Sequence, residues 1–293
     1  MANDLSNMIR EVWEDGLQDQ LREKFVGFNF ANTKMDGRFV GADTVHFARQ
    51  TKIEVQNLTS FNDSIVLQDL TSADETFALT ERRYFAFTIN IEEDIETYVD
   101  PRSQALMDVM ESFAREYDKQ IFGEYANAGY VFDDGDMDVA TNGGAGFPII
   151  TSKDNIVGML ININTLMDDN LIAGNDRKIA LKPKDIALFL KSPELTRATE
   201  TAERRLETGL IGEIEGFNIY KSLQLIEATG TRHSLAVQGT PISFGSNIKP
   251  NVYVSTVAEN TTKFASIMKG ASKFGTKLFT EGAEKTVDVQ IKV

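Results

Sequence analysis

Three aspartates spaced two residues apart form the pattern in this chain that is closest to a known kind of binding site. Asp134, Asp136 and Asp138 alternate like the first ligands of a calcium loop, in which carboxylate oxygens surround the ion. Such a loop also needs Gly at its sixth position and Glu at its twelfth, where this chain has Val139 and Ala145. The pattern is incomplete, and it favours a solvated acidic loop over a cation site.

Other motifs that carry chemistry are absent from the sequence. His46 and His233 lie in different segments without metal-ligand spacing, so structural roles are expected for both. The chain has no cysteine, no G-x-S-x-G elbow and no G-x-x-x-x-G-K-[ST] loop. Adjacent carboxylates such as Glu92 and Glu93 could serve hydrolysis, but such clusters arise by chance among 44 acidic residues. We therefore predict a protein that is not an enzyme and has no catalytic, cofactor or metal site.

The charge of the chain disfavours binding to nucleic acid or to membranes. Its 293 residues include 30 Lys and Arg against 44 Asp and Glu, a formal net charge of -14, which repels DNA and anionic lipid. No secretory signal and no apolar stretch of the ~20 residues that span a bilayer are visible. Residues 81–100 are mainly acidic, whereas 260–280 contain lysines and no acid. Such patches could serve self-association, or they could be two solvated faces.

Hydrophobic periodicity divides the first half of the chain into three segments. Residues 4–25 have the spacing of an amphipathic helix, with Trp13 on the apolar face. Residues 26–99 read as short strands, and apolar side chains occupy the odd positions from 85 to 91. A long helix is predicted from 102 to 128, because Asp100 and Pro101 form a start signal before an apolar stripe.

The second half of the chain mixes helix and strand signals. Residues 129–148 are polar and rich in glycine, and they predict a surface excursion. Helices are predicted at 156–171 and 185–190, and strands at 178–181, 216–220 and 287–293.

The order of these elements resembles the Hong Kong 97-like major capsid proteins of tailed bacteriophages, and the resemblance covers nearly the whole chain. It implies an α+β fold with an N-terminal arm, an extended β-hairpin called the E-loop, a long spine helix in a peripheral domain, and a mixed α/β axial domain. The passages that carry it are FALT (77–80), YFAFTINIEED (84–94), AREYDKQI (114–121), ALKP (180–183) followed by Leu188, and GLIGEIEGFNIYKS (209–222).

Applied to this chain, the resemblance implies four parts and a structural role. The parts are the N-terminal arm (1–30), the E-loop with its flanking strands (31–80), the peripheral domain (81–130 with 256–293) and the axial domain (131–255). The implied function is self-assembly through hexamers and pentamers into an icosahedral shell around double-stranded DNA. Such a shell forms in the host cytoplasm and is located in the virion. An encapsulin-type nanocompartment shell and a soluble carboxylate-dependent hydrolase stay open as alternatives.

The resemblance also implies partners. These are further copies of the chain, a portal protein, an optional decoration protein, and DNA that is enclosed without sequence-specific binding; no membrane is involved. Some relatives carry a scaffolding domain before the arm, and here the amphipathic helix begins within the first few residues. A separate scaffolding protein is therefore expected.

Candidate intersubunit contacts lie where apolar or basic side chains lack an evident partner. The hairpin expected at 45–76 has too few apolar residues for a core of its own, so we expect it to extend over a neighbouring subunit. The apolar face of the N-terminal helix must also be covered. The candidates are Trp13, Leu17, Ile53, Val55, Ile65, Val66, Arg82, Arg83, Arg204 and Arg205.

Overall fold

The fold is seen in a computed structural model of the chain. The structure describes residues 26–34, 39, 44–50, 53, 55–57, 67–69, 71–90, 101–192, 210–214, 216–255 and 265–293. The predicted N-terminal helix at 4–25 lies outside these residues. So do six of the candidate contacts, namely Trp13, Leu17, Ile65, Val66, Arg204 and Arg205.

In the described chain, helices and strands alternate between residues 81 and 214, and strands predominate before and after that stretch. The helices are α1 (Pro101–Gly123), α2 (Ile156–Asp169), α3 (Pro183–Lys191) and the short α4 (Thr280–Ala283). None of them is both long enough and apolar enough to cross a membrane. The strands are β1 (Ala31–Asn32), β2 (Thr44–Gln50), β3 (Ser72–Ala78), β4 (Glu81–Asn90), β5 (Tyr130–Phe132), β6 (Arg177–Leu181), β7 (Leu210–Ile214), β8 (Phe217–Lys221), β9 (Glu227–Ala228), β10 (Thr231–Gln238), β11 (Ile242–Ser255), β12 (Ala265–Leu278) and β13 (Thr286–Lys292).

Helix α1 is the long helix that the apolar stripe predicted. Its 23 residues rise about 35 Å, and the side chains of the stripe from Leu106 to Ile121 are mostly buried. The α-helix ends at Gly123, and a 3₁₀ turn over Glu124–Asn127 follows, so the predicted end at 128 is wrong for the α-helical part. The Glu124 carboxylate accepts hydrogen bonds from Thr276 Oγ1 and Leu278 N, which binds this turn to β12.

A four-stranded sheet packs on α1 in the strand order β1-β11-β12-β4. Strand β4 pairs antiparallel with β12 from Glu81 opposite Phe274 to Asn90 opposite Ala265. Phe85 and Phe87 of β4 pack against the core, while the even-numbered side chains between and beside them are exposed, as the alternation predicted. Tyr117 packs α1 against the sheet, because its ring centroid lies 4.4 Å from that of Phe274 in β12.

A second sheet has the order β5-β13-β10-β6-β8-β7, with β9 paired to β10. Its two faces belong to different cores. Leu235 and Val237 of β10 join the core of α1 and the first sheet, whereas Ala236 faces the core that contains α2. Strand β11, from the range assigned to the axial domain, lies in the first sheet, and β13, from the range assigned to the peripheral domain, lies in the second.

Candidate intersubunit surfaces

The hairpin of β2 and β3 is the predicted E-loop, and its stem is fixed to its own subunit. The strands pair antiparallel from Thr44 opposite Ala78 to Gln50 opposite Ser72. Phe77 is buried against Phe39, with ring centroids 5.1 Å apart, and Phe47 packs at 5.2 Å on Phe279. These aromatic contacts form a small core at the base of the hairpin, which the polar composition of residues 31–80 did not predict.

Polar contacts fix the same base. Glu75 accepts a hydrogen bond from Arg49 Nη1 at 3.2 Å and further hydrogen bonds from the backbone N–H and hydroxyl of Thr280. The hydroxyl of Thr280 is the main cause that lowers the pKa of Glu75 below its ordinary value. On the exposed face of the same two strands, His46 Nδ1 lies 2.7 Å from Asp74 Oδ2. The stem is therefore held to its own subunit by polar as well as aromatic contacts.

Beyond the paired strands, apolar side chains of the hairpin lie in solvent. Ile53 is 63% exposed, Leu67 is 87% exposed, and Val55 is fully exposed. The residues at 53 and 55–57 are not part of a strand, so the strand expected around Ile53 and Val55 is not seen in the described residues. The exposure agrees with a role for Ile53 and Val55 at an interface, and that role stays a prediction.

Arg82 and Arg83 lie on opposite faces of β4. Arg82 is exposed on the face away from α1. Arg83 is bound within the subunit, because it pairs with Glu81 at 2.8 Å and with Glu116 of α1 at 3.1 Å. The hydrogen bond to Glu116 is the largest cause that raises the pKa of Arg83. Arg82 is thus available to a neighbour, whereas Arg83 connects an edge strand to the spine helix.

A groove of about 310 Å³ runs between β4 and α1 beside the Arg83–Glu116 pair. Phe85, Val109 and Phe113 are its apolar lining, and Tyr84 at its rim is 83% exposed. Because β4 is the last strand of the sheet order in the described part of the chain, the groove follows the edge of that sheet. Apolar lining beside an edge strand suits contact with another chain segment.

The segment just before β1 is held against the spine helix α1. Gly27 N–H donates to Asp118 Oδ1 of α1 at 2.8 Å, and an added Cβ at Gly27 would lie 2.7 Å from that oxygen. The ring of Phe28 contacts that of Phe244, and the ring of Phe30 contacts that of Phe122. Burial raises the pKa of Asp118 to about 6. The buried Asp118 carboxyl thus fixes the segment before β1 to α1.

The acidic loop after β5 differs from its prediction. Asp134 is fully buried, and Thr141, Asn142, Gly143 and Gly144 donate backbone N–H groups to its two oxygens. Burial alone would raise the pKa of Asp134, but these hydrogen bonds and the Thr141 hydroxyl hold it well below the ordinary range. Asp134 is therefore neither solvated nor available to a cation. Within the described part of the chain, no group of acidic or histidine side chains could hold a metal ion.

The histidines take part in ordinary packing and pairing. The ring of His233 stacks on Tyr125 with centroids 3.9 Å apart, and its Nδ1 lies 2.8 Å from Asp288 Oδ2. This contact joins β10 and β13 to the end of the spine helix. Burial is the main cause that raises the pKa of Asp288.

Comparison of sequences gives no match to a protein-family model and none to a curated protein. Comparison of structures does find similar folds. A chain of Mycobacterium phage Che8 matches with a TM-score of 0.69 and 14% identity over 90% of both chains. The capsid structure of cyanophage P-SCSP1u matches with a TM-score of 0.67 and 12% identity, over 91% of this chain and 88% of the other. A virus-like particle from Pyrococcus furiosus matches with a TM-score of 0.56 and 12% identity, over 96% and 99%.

At identities this low, the likeness establishes the fold. The matches cover about nine-tenths of each chain. The chain therefore has the mixed α+β Hong Kong 97-like fold, as the order of its sequence elements predicted.

Proposed function

We propose that the protein is the major capsid protein of a tailed bacteriophage. Its copies assemble through hexamers and pentamers into an icosahedral shell that encloses double-stranded DNA, and its final location is the virion. The observation that carries the proposal is the match in fold to phage capsid structures over about nine-tenths of each chain. The role is structural, so the function is spread over surfaces and needs no catalytic centre.

The hairpin supplies the physical support for assembly. Its stem is held by aromatic and polar contacts within the subunit, but the apolar side chains beyond the stem, Ile53, Val55 and Leu67, are exposed to solvent. Covering such side chains yields roughly 25 cal/mol for each Å² removed from water, so a neighbouring copy that received them would stabilise the shell. Because many copies repeat the contact, each contact can be modest and the shell still stable.

The four-part division of the chain belongs to this proposal, as do the candidate contacts. Ile53, Val55 and Arg82 are the members of that set whose exposure supports contact with a second copy. A separate scaffolding protein, a portal protein and an optional decoration protein are the further partners that this function implies. DNA would be enclosed without sequence-specific contacts, which agrees with the net charge of -14.

A nanocompartment shell is the second candidate function. It is favoured by the match to the Pyrococcus furiosus virus-like particle, which covers more of both chains than the phage matches but has a lower TM-score. The two functions differ in content, because a capsid encloses DNA and a nanocompartment encloses protein.

Electron microscopy of the purified protein tests the proposal. We expect capsomers or closed shells when the protein is expressed with a separate scaffolding partner. Nuclease-protected DNA in particles from infected cells supports a capsid, whereas a protein cargo without DNA supports a nanocompartment. A monodisperse monomer at high concentration, with the scaffolding partner present, contradicts both.

A further inference from the structure

The turn after helix α2 holds a leucine in a backbone conformation that suits glycine. Leu171 N–H donates to Asp168 O at 2.9 Å. Ile172 N–H donates to Met167 O at the same distance. These two bonds form a Schellman motif, in which the residue at the position of Leu171 has a positive φ and is most often Gly. Leu171 has a φ of 58°, a conformation that costs free energy for any residue with a Cβ atom.

The side chain of Leu171 gains no burial within the subunit that would offset this cost. It is 93% exposed, whereas Met167 and Ile172 of the same motif are buried in the core that contains α2. Glycine would form the same backbone hydrogen bonds without the strain, so the stability of the subunit does not account for a leucine here. Because strained residues cluster at functional sites, the leucine suits a contact outside the subunit.

A buried arginine holds this turn in place. Arg177 is 1% exposed, and it donates to Ile172 O from Nη2 at 2.5 Å and to Ala173 O from Nε at 3.1 Å. Its Nη2 also donates to Asp168 Oδ1 at 2.6 Å. The turn is therefore pre-organised, so a contact made by Leu171 costs little additional ordering of the chain.

The two ends of strand β6 each carry an exposed leucine beside exposed charge. The acidic turn, residues 168–176, precedes β6 and presents Leu171 and Asp169. At the other end, β8 runs parallel to β6 and ends beside it. Lys221 is the last residue of β8, Leu223 follows with 69% exposure, and Lys184 lies in the first turn of α3. Lys184, Lys221 and Leu223 are called the basic end below.

Other charges at these two surfaces are paired within the subunit. Asp176 pairs with Lys178 at 3.2 Å beside the acidic turn, and Lys182 pairs with Glu227 at the basic end. The exposed charge that remains is negative in the acidic turn and positive at the basic end. Strand β6 has five residues, which at about 3.3 Å each place the two surfaces roughly 15 Å apart, so one copy cannot bring its own two surfaces together.

We propose that the acidic turn of one copy contacts the basic end of a second copy. Leu171 then packs beside Leu223 of that copy, and opposite charges face each other across the contact. Such a contact joins two different surfaces of the same chain, so each copy binds one neighbour on either side and a ring closes when the rotation permits. The inference rests on the proposed shell function, because rings of this kind are the hexamers and pentamers of that shell.

Leu171→Gly separates a contact between copies from a role in the fold. The variant should keep the Tm of the unassembled subunit or raise it by up to about 3 °C, because glycine suits the positive φ. With the scaffolding partner present, the concentration needed for capsomers should rise about tenfold, because a buried leucine is lost from each contact. A lower Tm, or assembly like that of the parent, overturns the proposal.

Val139→Gly is the matched control. Val139 is another aliphatic residue with 76% exposure, and it is not among the described residues with a positive φ. This variant should form capsomers at the same concentration as the parent.

An exchange of charges identifies the second copy as the partner. Asp169→Lys and Lys221→Asp should each raise the concentration needed for capsomers about threefold, as expected for exposed ion pairs. The double variant should return toward the parent value, because the exchanged charges attract each other again across the contact. Single variants without effect, or a double variant at least as weak as the singles, overturn the proposal.

The parent chain in the same assay separates this inference from the proposed function. A parent that assembles while the variants behave otherwise than expected contradicts the inference alone. A parent that forms no capsomers contradicts the shell function and this inference together.

Discussion

At the scale of single residues, Asp118 makes the stability of the subunit depend on pH. Its pKa in the folded protein is about 6, against an ordinary value of 3.8, so the folded state binds the proton more tightly than the unfolded chain. The resulting stability is fully present below about pH 4 and is lost as the pH rises through about 6. The shift corresponds to about 2–3 kcal/mol at most.

Asp118→Asn should therefore stabilise the protein at neutral pH and flatten its stability between pH 4 and pH 7. The substituted amide keeps an oxygen that can accept the Gly27 N–H. Urea unfolding of the subunit across this pH range measures both effects, and Asp108→Asn, an exposed change on the same helix, is the control. Identical pH curves for Asp118→Asn and the parent would contradict the assignment.

Predictions for single residues succeeded where one hydrophobic period determines which side chains are buried. The apolar stripe of the spine helix is buried as its spacing required, because side chains three and four apart share a helix face. Such prediction failed at Asp134, whose hydrogen-bond donors come from a loop that no periodicity describes. Gly143 and Gly144 have positive φ values of 132° and 92°, and this conformation turns their N–H groups toward the carboxylate. The run of glycines that follows the aspartates was the sequence feature that could have indicated a buried, hydrogen-bonded carboxylate.

At the scale of elements, the hairpin should be separable into a structural stem and an assembly tip. Replacing residues 51–71 by a short Gly/Ser linker keeps the paired strands, the Arg49–Glu75 contact and the aromatic base. We expect a folded, soluble subunit that no longer forms shells, because the lost contacts lie between subunits. Circular dichroism and sedimentation velocity against the parent give the two readouts.

A milder pair of variants separates the tip from general surface effects. Val55→Asp should weaken assembly without changing the fold, whereas Val139→Asp, at another exposed valine, should assemble like the parent. An unfolded linker variant would mean that the tip belongs to the subunit core. Normal shells from the linker variant would mean that the tip makes no contact needed for assembly.

Element boundaries were predicted less well than element types. The spine helix ends at Gly123, because Glu124 bonds to Thr276 and Leu278, residues 152 and 154 positions away in the sequence. The chain turns at Leu79 and Thr80 between β3 and β4, a boundary that the alternation at residues 85–91 does not indicate. Leu79 is buried there, and Gly275 of β12 approaches so closely that an added Cβ would lie 2.7 Å from Ala78 O. Such long-range contacts leave no local pattern.

At the scale of the whole molecule, the strand orders of the two sheets could not be predicted from hydrophobic periodicity. Neighbours such as β1 and β11 are more than two hundred residues apart in the chain, and alternation does not choose partners. The overall architecture was predicted by the order of the elements through their resemblance to capsid proteins. The comparison with solved structures confirms that fold at identities of 9–14%.

Strand β13 should be essential to the whole subunit. It lies between β5 and β10, and Val287, Val289 and Ile291 are fully buried. Deleting residues 286–293 should therefore abolish cooperative unfolding, as followed by urea denaturation, whereas deleting Val293 alone should be nearly neutral. A cooperative transition in the longer deletion would show that the second sheet can close without this strand.

The position of β13 also sets an order of events during synthesis. The ribosome makes β5 about 150 residues, and β10 about 50 residues, before it makes the strand that joins them. Until β13 emerges, a nascent chain lacks the strand that pairs with both β5 and β10. For the proposed shell function, this means that a subunit with a complete second sheet is available to other copies only after that strand has been made.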